Sequence, residues 1–384
     1  MTEASLRPHE EFFENVPTGV EIEELEGDLE EQPTTGLPWD LKHIRVSTKS
    51  FSIRNVIDLI DDSSLELAPD FQRRFVWKGQ QKSRLIESIL LQIPLPAFYF
   101  AEDSKGVMRV VDGMQRLSTV ADFVGDAFSL NSLEYLDDVR GKYFSELPAP
   151  LRRRIHNAQI VVHVIDPTTP TSVKYDIFKR INTGGSPLNH QEIRHCMSKQ
   201  RSRDFLKHCT HLPEFDLATG GRLRDHVRMN DREMALRFCA FSLLDEEAYI
   251  DRFRAMDPFL EHATELLDSE QEISNFKLEE LVERFLLAMI NSYGIFGEHA
   301  FRKWPHGTDW LTPINRPLFE TWSIVLSRYE IADVAARGKK IKAAAREWMA
   351  KDQEYIAAIT SSTGDPRKVR YRFNRTIAAA EAGR

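Results

Sequence analysis

Residues 107–119 read Val107-Met108-Arg109-Val110-Val111-Asp112-Gly113-Met114-Gln115-Arg116-Leu117-Ser118-Thr119, and the change of period inside this stretch decides the fold. The run 107–111 is largely β-branched and apolar, as a strand requires. Leu117, Val120, Ala121 and Val124 then recur at helical spacing. Asp112-Gly113 is therefore the turn from a strand into a helix, and the chain mixes α and β structure. Gly113 reaches backbone angles closed to other residues, and the N–H groups that open a helix attract anions. Arg116 adds a permanent cation able to grip a phosphate through two parallel hydrogen bonds. An Asp-Gly pair at a strand end is also the composition of an ordinary turn, so this local chemistry leaves both readings open.

Two further segments carry the same mixture of apolar anchors and polar groups. Pro69-Asp70-Phe71-Gln72-Arg73-Arg74-Phe75-Val76-Trp77 sets an amide and two guanidiniums between hydrophobic residues. Phe178-Lys179-Arg180-Ile181-Asn182-Thr183-Gly184-Gly185-Ser186-Pro187-Leu188-Asn189 ends one helix at paired glycines and opens another. Asn189 followed by Glu192 reads as a capping box, with Leu188 and Ile193 as its hydrophobic staple. Much of this third segment is thus explained by local structure.

In this order and at these separations the three segments resemble the GmrSD restriction-enzyme N-terminal family, whose domain is related to the ParB and sulfiredoxin fold. The resemblance covers about residues 50–200. Pro69, Phe71, Gln72, Arg73, Val76 and Trp77 match the first box of the family. Asp112, Gly113, Gln115 and Arg116 match an Asp-Gly-Gln-Gln-Arg motif in which Met114 replaces the first glutamine. Phe178, Asn182, Gly185, Leu188, Glu192 and Ile193 match the third. The resemblance implies nucleotide binding or hydrolysis linked to DNA cleavage in defence against foreign DNA. It makes Asp112, Gln115 and Arg116 the candidate catalytic residues. Gln72, Arg73, Gly113, Arg116 and Asn182 are the candidate phosphate and nucleotide ligands. The implied cofactor is a nucleoside triphosphate, with Mg2+ held at Asp112, and the implied partners are DNA and a separate nuclease or defence-system subunit.

Composition bounds the rest. A chain of 384 residues, 42% hydrophobic and 29% charged, can bury a substantial core and has the balance of a soluble globular protein. No apolar run reaches the roughly 18 residues of a membrane span, and the acidic start is unlike a signal sequence. No membrane partner and a cytoplasmic location are expected. Cys196, Cys209 and Cys239 are too few for a disulfide framework, as in a reducing compartment. The net charge of −8 is unevenly spread: residues 1–40 hold twelve acids against Arg7, leaving +3 on the remainder. Residues 337–375 hold eleven bases against four acids. Within them Lys368, Arg372 and Arg375 share a helical face that could meet the DNA backbone, although basic residues on a helix are more commonly a solvated face.

The expected architecture is α+β: a small mixed ParB/sulfiredoxin-like domain followed by a larger α-helical domain, with the ligand in their cleft. Residues 1–40 are expected to be an acidic, mostly disordered leader whose removal leaves the fold intact. Residues 41–195 form the nucleotide-binding domain, and residues 196–384 the helical domain with its basic C-terminal stretch. Within the first domain, helices are predicted over 52–60, 80–92 and 171–181, and strands over 65–67, 97–101, 107–111 and 159–165. No P-loop, Gly-x-Gly-x-x-Gly fingerprint or Gly-x-Ser-x-Gly elbow is present, and the His195–His211 cluster lacks zinc-loop spacing. Three functions follow: a nucleotide-dependent DNA nuclease or its nucleotide-binding or -hydrolysing subunit, a non-enzymatic nucleotide-binding switch that regulates DNA or protein contacts, or a helical adaptor with a decayed site, which Met114 favours. Gln72, Arg73, Asp112 and Arg116 are expected to share one pocket.

Overall fold

A computed structural model describes residues 9–13, 15–23, 44–67, 77–103, 105–181, 188–308 and 310–381. The chain divides into two compact units, residues 34–197 and residues 1–33 with 198–384. Strands β1 (Glu10–Phe13) and β2 (Val16–Glu21) pair as an antiparallel hairpin in the second of these. The first unit holds β3 (Val46–Ser52), β4 (Leu65–Glu66), β5 (Phe98–Glu102), β6 (Met108–Asp112) and β7 (Gln159–Ile165) in a five-stranded sheet of order β3-β7-β5-β6-β4. Its helices are α1 (Ile53–Asp61), α2 (Gly79–Leu90), α3 (Met114–Val124), α4 (Ala149–Asn157), α5 (Thr171–Ile181) and α6 (His190–Met197).

The order of apolar residues explains how this sheet is covered. Phe98, Phe100, Val110, Val162 and Val164 alternate along their strands and face a core shared with Val56, Ile86, Ile89, Leu117, Val120 and Ile155 of the first four helices. On the other face Val111 and Ile165 pack with Phe178 of α5 and with Ile193 and Cys196 of α6. That second cover is partial: Val161 of β7 is 45% exposed, while its neighbours Ile160 and Val162 are buried. The capping box is present, with Asn189 N–H donating to Glu192 at 2.6 Å and Glu192 N–H to Asn189 at 2.8 Å. Ser52 likewise caps α1, accepting from Asn55 N–H at 3.2 Å. A loop over residues 134–136 is held by the buried carboxylate of Glu87, which accepts from all three backbone N–H groups.

The sheet-containing part precedes a larger helical part, as the sequence predicts. Helices Asn230–Ala248, Asn275–Phe296, Arg316–Leu326 and Ile331–Lys351 surround a core that includes Phe215, Phe238, Phe285, Phe319 and Trp322. The expectation of a disordered leader needs correcting, because residues 9–13 and 15–23 form the β1–β2 hairpin and belong to this helical unit. Val20 is fully buried, Glu21 N–H donates to Ile314 O at 2.8 Å, and Ile314 N–H donates to Gly19 O at 2.8 Å. Acidic composition concealed the hairpin, since glutamates in and just after it are partners for bases of the helical unit: Glu23 lies 2.7 Å from the buried Arg237, and Glu21 lies 2.5 Å from the half-buried Lys303.

Candidate functional site

The Asp112 turn is built by three devices. β6 carries an irregularity in its pairing with β5, which passes from Tyr99↔Asp112 to Phe100↔Val110 and leaves Val111 between them. Such a bulge redirects the side chains beside it, and here it sets Asp112 opposite Tyr99 at the end of the strand. Gly113 then takes φ +91° as the N-terminal cap of α3. A Cβ at this position would lie 2.2 Å from the Phe98 ring, so both the angle and the close approach exclude other residues. Met114 turns inward from the first turn of α3 and is buried in the core with Leu117 and Val120. The residue that departs from the family motif therefore serves packing.

Arg116 occupies a role that the sequence did not suggest. Its Nη2 donates to Asp112 Oδ2 at 2.8 Å and to Ala97 O at 3.2 Å, and its Nη1 donates to Pro96 O. The guanidinium also lies 4.2 Å from the centre of the Phe98 ring. Burial pushes the Arg116 pKa down, and the Asp112 charge opposes that effect. The arginine thus clamps the start of β5 to the end of β6 and holds the Asp112 carboxylate in place. Among the described residues the other Asp112 oxygen accepts no hydrogen bond, and the side chain is about a third exposed. Gln115 is half-buried on the same turn.

Asp112, Gly113, Gln115 and Arg116 are thus brought together. Gln72, Arg73 and Asn182, expected to join them, lie outside the described residues. Among the described residues no group of three His, Cys, Asp or Glu side chains could hold a metal. Mg2+ commonly binds one or two carboxylates and completes its shell with substrate phosphates and water, so Asp112 alone fits that role only together with a bound polyphosphate.

A row of side chains runs from Asp112 across the sheet, and the motif reading missed it. Asp112 pairs with Tyr99 on β5, Tyr99 with His163 on β7, and His163 with Thr48 on β3. Paired residues project from the same face. The Tyr99 and His163 rings are 4.8 Å apart and tilted by 40°, and Thr48 Oγ1 shares a hydrogen bond of 2.9 Å with His163 Nδ1. The signal in the sequence was the alternation of Gln159, Val161 and His163 with the buried Ile160, Val162 and Val164.

The proposed DNA-binding face requires a correction. Arg372 is fully buried and lies 2.6 Å from the equally buried Glu320, with Nη1 donating to Thr363 O at 2.5 Å. It cannot reach a phosphate. Arg375 pairs with Asp352 at 2.8 Å, and Lys368 donates to Ser361 O at 2.7 Å. The shared helical face was correctly spaced but points partly into the protein.

Residues 56–198 match the GmrSD restriction endonuclease N-terminal domain family. The match covers rather more than a third of the chain, including the Asp112 site, and agrees with the resemblance carried by the three motifs. No curated protein and no solved structure matches the chain. The family is one of restriction endonucleases, so the matched segment supports a role in restriction, with DNA as the substrate class. No helix among the described residues is long and apolar enough to cross a membrane.

Proposed function

We propose that the GmrSD-type segment binds and hydrolyses a nucleoside triphosphate at the Asp112 turn, and that this step serves the cutting of DNA by this chain or by a partner subunit. The observation that carries the reading is a carboxylate immobilised on one oxygen by Arg116, without a hydrogen bond on the other among the described residues, and placed directly before the amino end of α3. Phosphoryl transfer needs donors on the phosphate oxygens and an oriented attacking water. The first N–H groups of α3 supply the donors, and Asp112 orients the water or joins the shell of a phosphate-bound Mg2+. Gln115 reaches a ribose hydroxyl or a phosphate oxygen from the same turn. Bound Mg2+ supplies charge neutralisation to the polyphosphate. Gln72, Arg73 and Asn182 belong to the same site in this reading, on the strength of the motifs alone, as does kinship with the ParB/sulfiredoxin fold.

One observation favours a second reading, a nucleotide-binding switch without hydrolysis. Both terminal nitrogens of Arg116 are engaged, by Asp112, Pro96 and Ala97, so the motif's own arginine is not a free cation for transition-state charge. Phosphate release with each common nucleoside triphosphate and magnesium, with and without DNA, separates the two. Hydrolysis that is lost in Asp112→Asn supports the enzyme. Binding without turnover supports the switch, and the absence of binding refutes both.

A further inference from the structure

In the row Thr48, His163, Tyr99 and Asp112 only Tyr99 contributes to a hydrophobic cluster, and the other three are polar. On the opposite face the corresponding positions of the same strands are the buried Phe98, Phe100, Val162 and Val164. In this row the side chains are polar or aromatic: Thr48 is exposed, His163 and Asp112 are half-buried, and Tyr99, also half-buried, packs one side against the Val111, Ile165 and Phe178 cluster. α5 and α6 cover Val111 and Ile165, but Val161, two residues from His163, remains open. Two aromatic rings on adjacent strands therefore stand at the edge of the covered region, His163 beside the open Val161 and Tyr99 against the covered cluster, in register with the motif carboxylate.

We propose that Tyr99 and His163 form a stacking platform for a nucleobase, with Thr48 fixing the imidazole and Asp112 marking the phosphate side. Paired aromatic residues on a sheet surface offer flat apolar area that accepts any base face, and stacking tolerates sequence because every base has such a face. The 40° tilt leaves the rings splayed toward each other, so a base lies against one and meets the edge of the other. The hydrogen bond to Thr48 restrains rotation of the imidazole, so less order is lost when a base docks. Strands rise roughly 3.3 Å per residue and lie about 4.8 Å apart, so the step from His163 through Tyr99 to Asp112 spans about 10 Å, the scale of a nucleoside joined to its phosphates. The inference rests on the proposed nucleotide site for its phosphate end. Its aromatic end would equally accept a base turned out of DNA.

Calorimetric titration of the full chain with the four common nucleoside triphosphates and with inorganic tripolyphosphate tests the platform. The variants are Tyr99→Leu, His163→Leu and the control Tyr99→Phe. A parallel titration compares a single-stranded oligonucleotide with its abasic counterpart. Stacking by a free nucleotide predicts at least about tenfold weaker nucleoside triphosphate binding in both leucine variants, unchanged tripolyphosphate binding, and wild-type behaviour in Tyr99→Phe. Stacking by a DNA base predicts instead that these variants lose the preference for the intact oligonucleotide. His163 lies in an open region of the sheet, so His163→Leu decides the matter should Tyr99→Leu fail to fold. Folded variants with wild-type affinity for every ligand overturn the platform and leave the phosphate site standing. Failure of the wild type to bind tripolyphosphate or any nucleotide refutes the phosphate site, and the oligonucleotide comparison then judges the platform alone.

Discussion

Replacing Glu23 by Gln should destabilise the helical unit by several kcal/mol, although it removes one charge from a strongly acidic stretch. Glu23 lies 2.7 Å from Arg237 and 3.9 Å from Arg316, and Thr363 Oγ1 donates to it at 2.5 Å. Arg237 also contacts Glu233 at 2.7 Å and the fully buried Glu320, which in turn pairs with Arg372. Among the described residues, three guanidiniums (Arg237, Arg316, Arg372) meet four carboxylates: the buried Glu23 and Glu320, Glu233, and the more exposed Glu11, 3.6 Å from Arg316. Glutamine keeps the volume and a bond to Thr363 but takes a buried carboxylate away from the buried guanidinium of Arg237. Breaking a buried pair from one side costs about 3–5 kcal/mol, far more than the pair itself contributes. Burial pushes the Glu23 pKa up, yet Arg237 and Arg316 outweigh it and hold the carboxyl below its ordinary value of 4.5. A lowered folded-state pKa means that the Glu23 contribution is complete above the unfolded value and lost as pH falls through the folded one. Urea unfolding followed by far-ultraviolet circular dichroism should show the difference between wild type and variant at neutral pH and its decline below about pH 4. A loss under about 0.5 kcal/mol at neutral pH, as at an ordinary surface site, would refute the reasoning. Deleting residues 1–40 should be worse still, because Lys303 then also loses Glu21.

Arg116→Ala should cost about 1–3 kcal/mol, because Asp112 and the carbonyls of Pro96 and Ala97 lose their donor, and it should weaken nucleotide binding by freeing Asp112; unchanged thermal unfolding would return Arg116 to a solvent-facing role. Asp231 is buried with its pKa pushed up to about 6 by desolvation, which Arg232 only partly opposes. A raised carboxyl pKa makes stability fall as pH rises from the unfolded value of 3.8 to the folded one, so Asp231→Asn should stabilise the fold at pH 8 by on the order of 2 kcal/mol and by less at pH 5. Equal effects at both pH values in urea unfolding would contradict this. Arg372→Ala should unfold the helical unit at a cost of about 3–5 kcal/mol, measured by circular dichroism, whereas a folded variant with a flattened salt dependence of DNA binding would restore it to a DNA face.

The strand-to-helix turn was legible because its two halves obey different periods, 2 and 3.6, and Asp112-Gly113 lies where they meet. The strand 159–165 and the helix 171–181 were legible for the same reason. Gly113 was read as a site of ligand approach, but its partner is Phe98, fifteen residues upstream, and no local pattern records that ring. Arg116 looked like a phosphate ligand because a sequence shows a donor without its acceptors, and two of those acceptors are backbone carbonyls that carry no sequence signal. Tyr99 and His163 lie 64 positions apart and become neighbours only through the parallel pairing of β5 with β7. Motifs of contiguous residues survive translation into space, whereas sites assembled by register do not announce themselves.

Charge shows the same division between local and assembled information. The acidic leader and the basic C-terminal stretch suggest a tail and a DNA-facing surface, with electrostatics acting through solvent. In the fold, a residue of each belongs to one buried chain of contacts, from Glu23 through Arg237 and Glu320 to Arg372. Charges so paired neither repel nor attract a phosphate backbone at distance, because each field is cancelled within a few ångströms by its partner. What remains for DNA are the bases outside this chain, such as Arg367, 91% exposed, and Arg370, half exposed, beside Arg254 at an open groove. Even these have acidic neighbours in Asp365 and Glu247, so a DNA surface on this helix would form by exchanging partners, and its salt dependence would count only the phosphates gained. The formal excess of bases in residues 337–375 therefore overstates the attraction available to DNA, and the −11 of residues 1–40 overstates the repulsion.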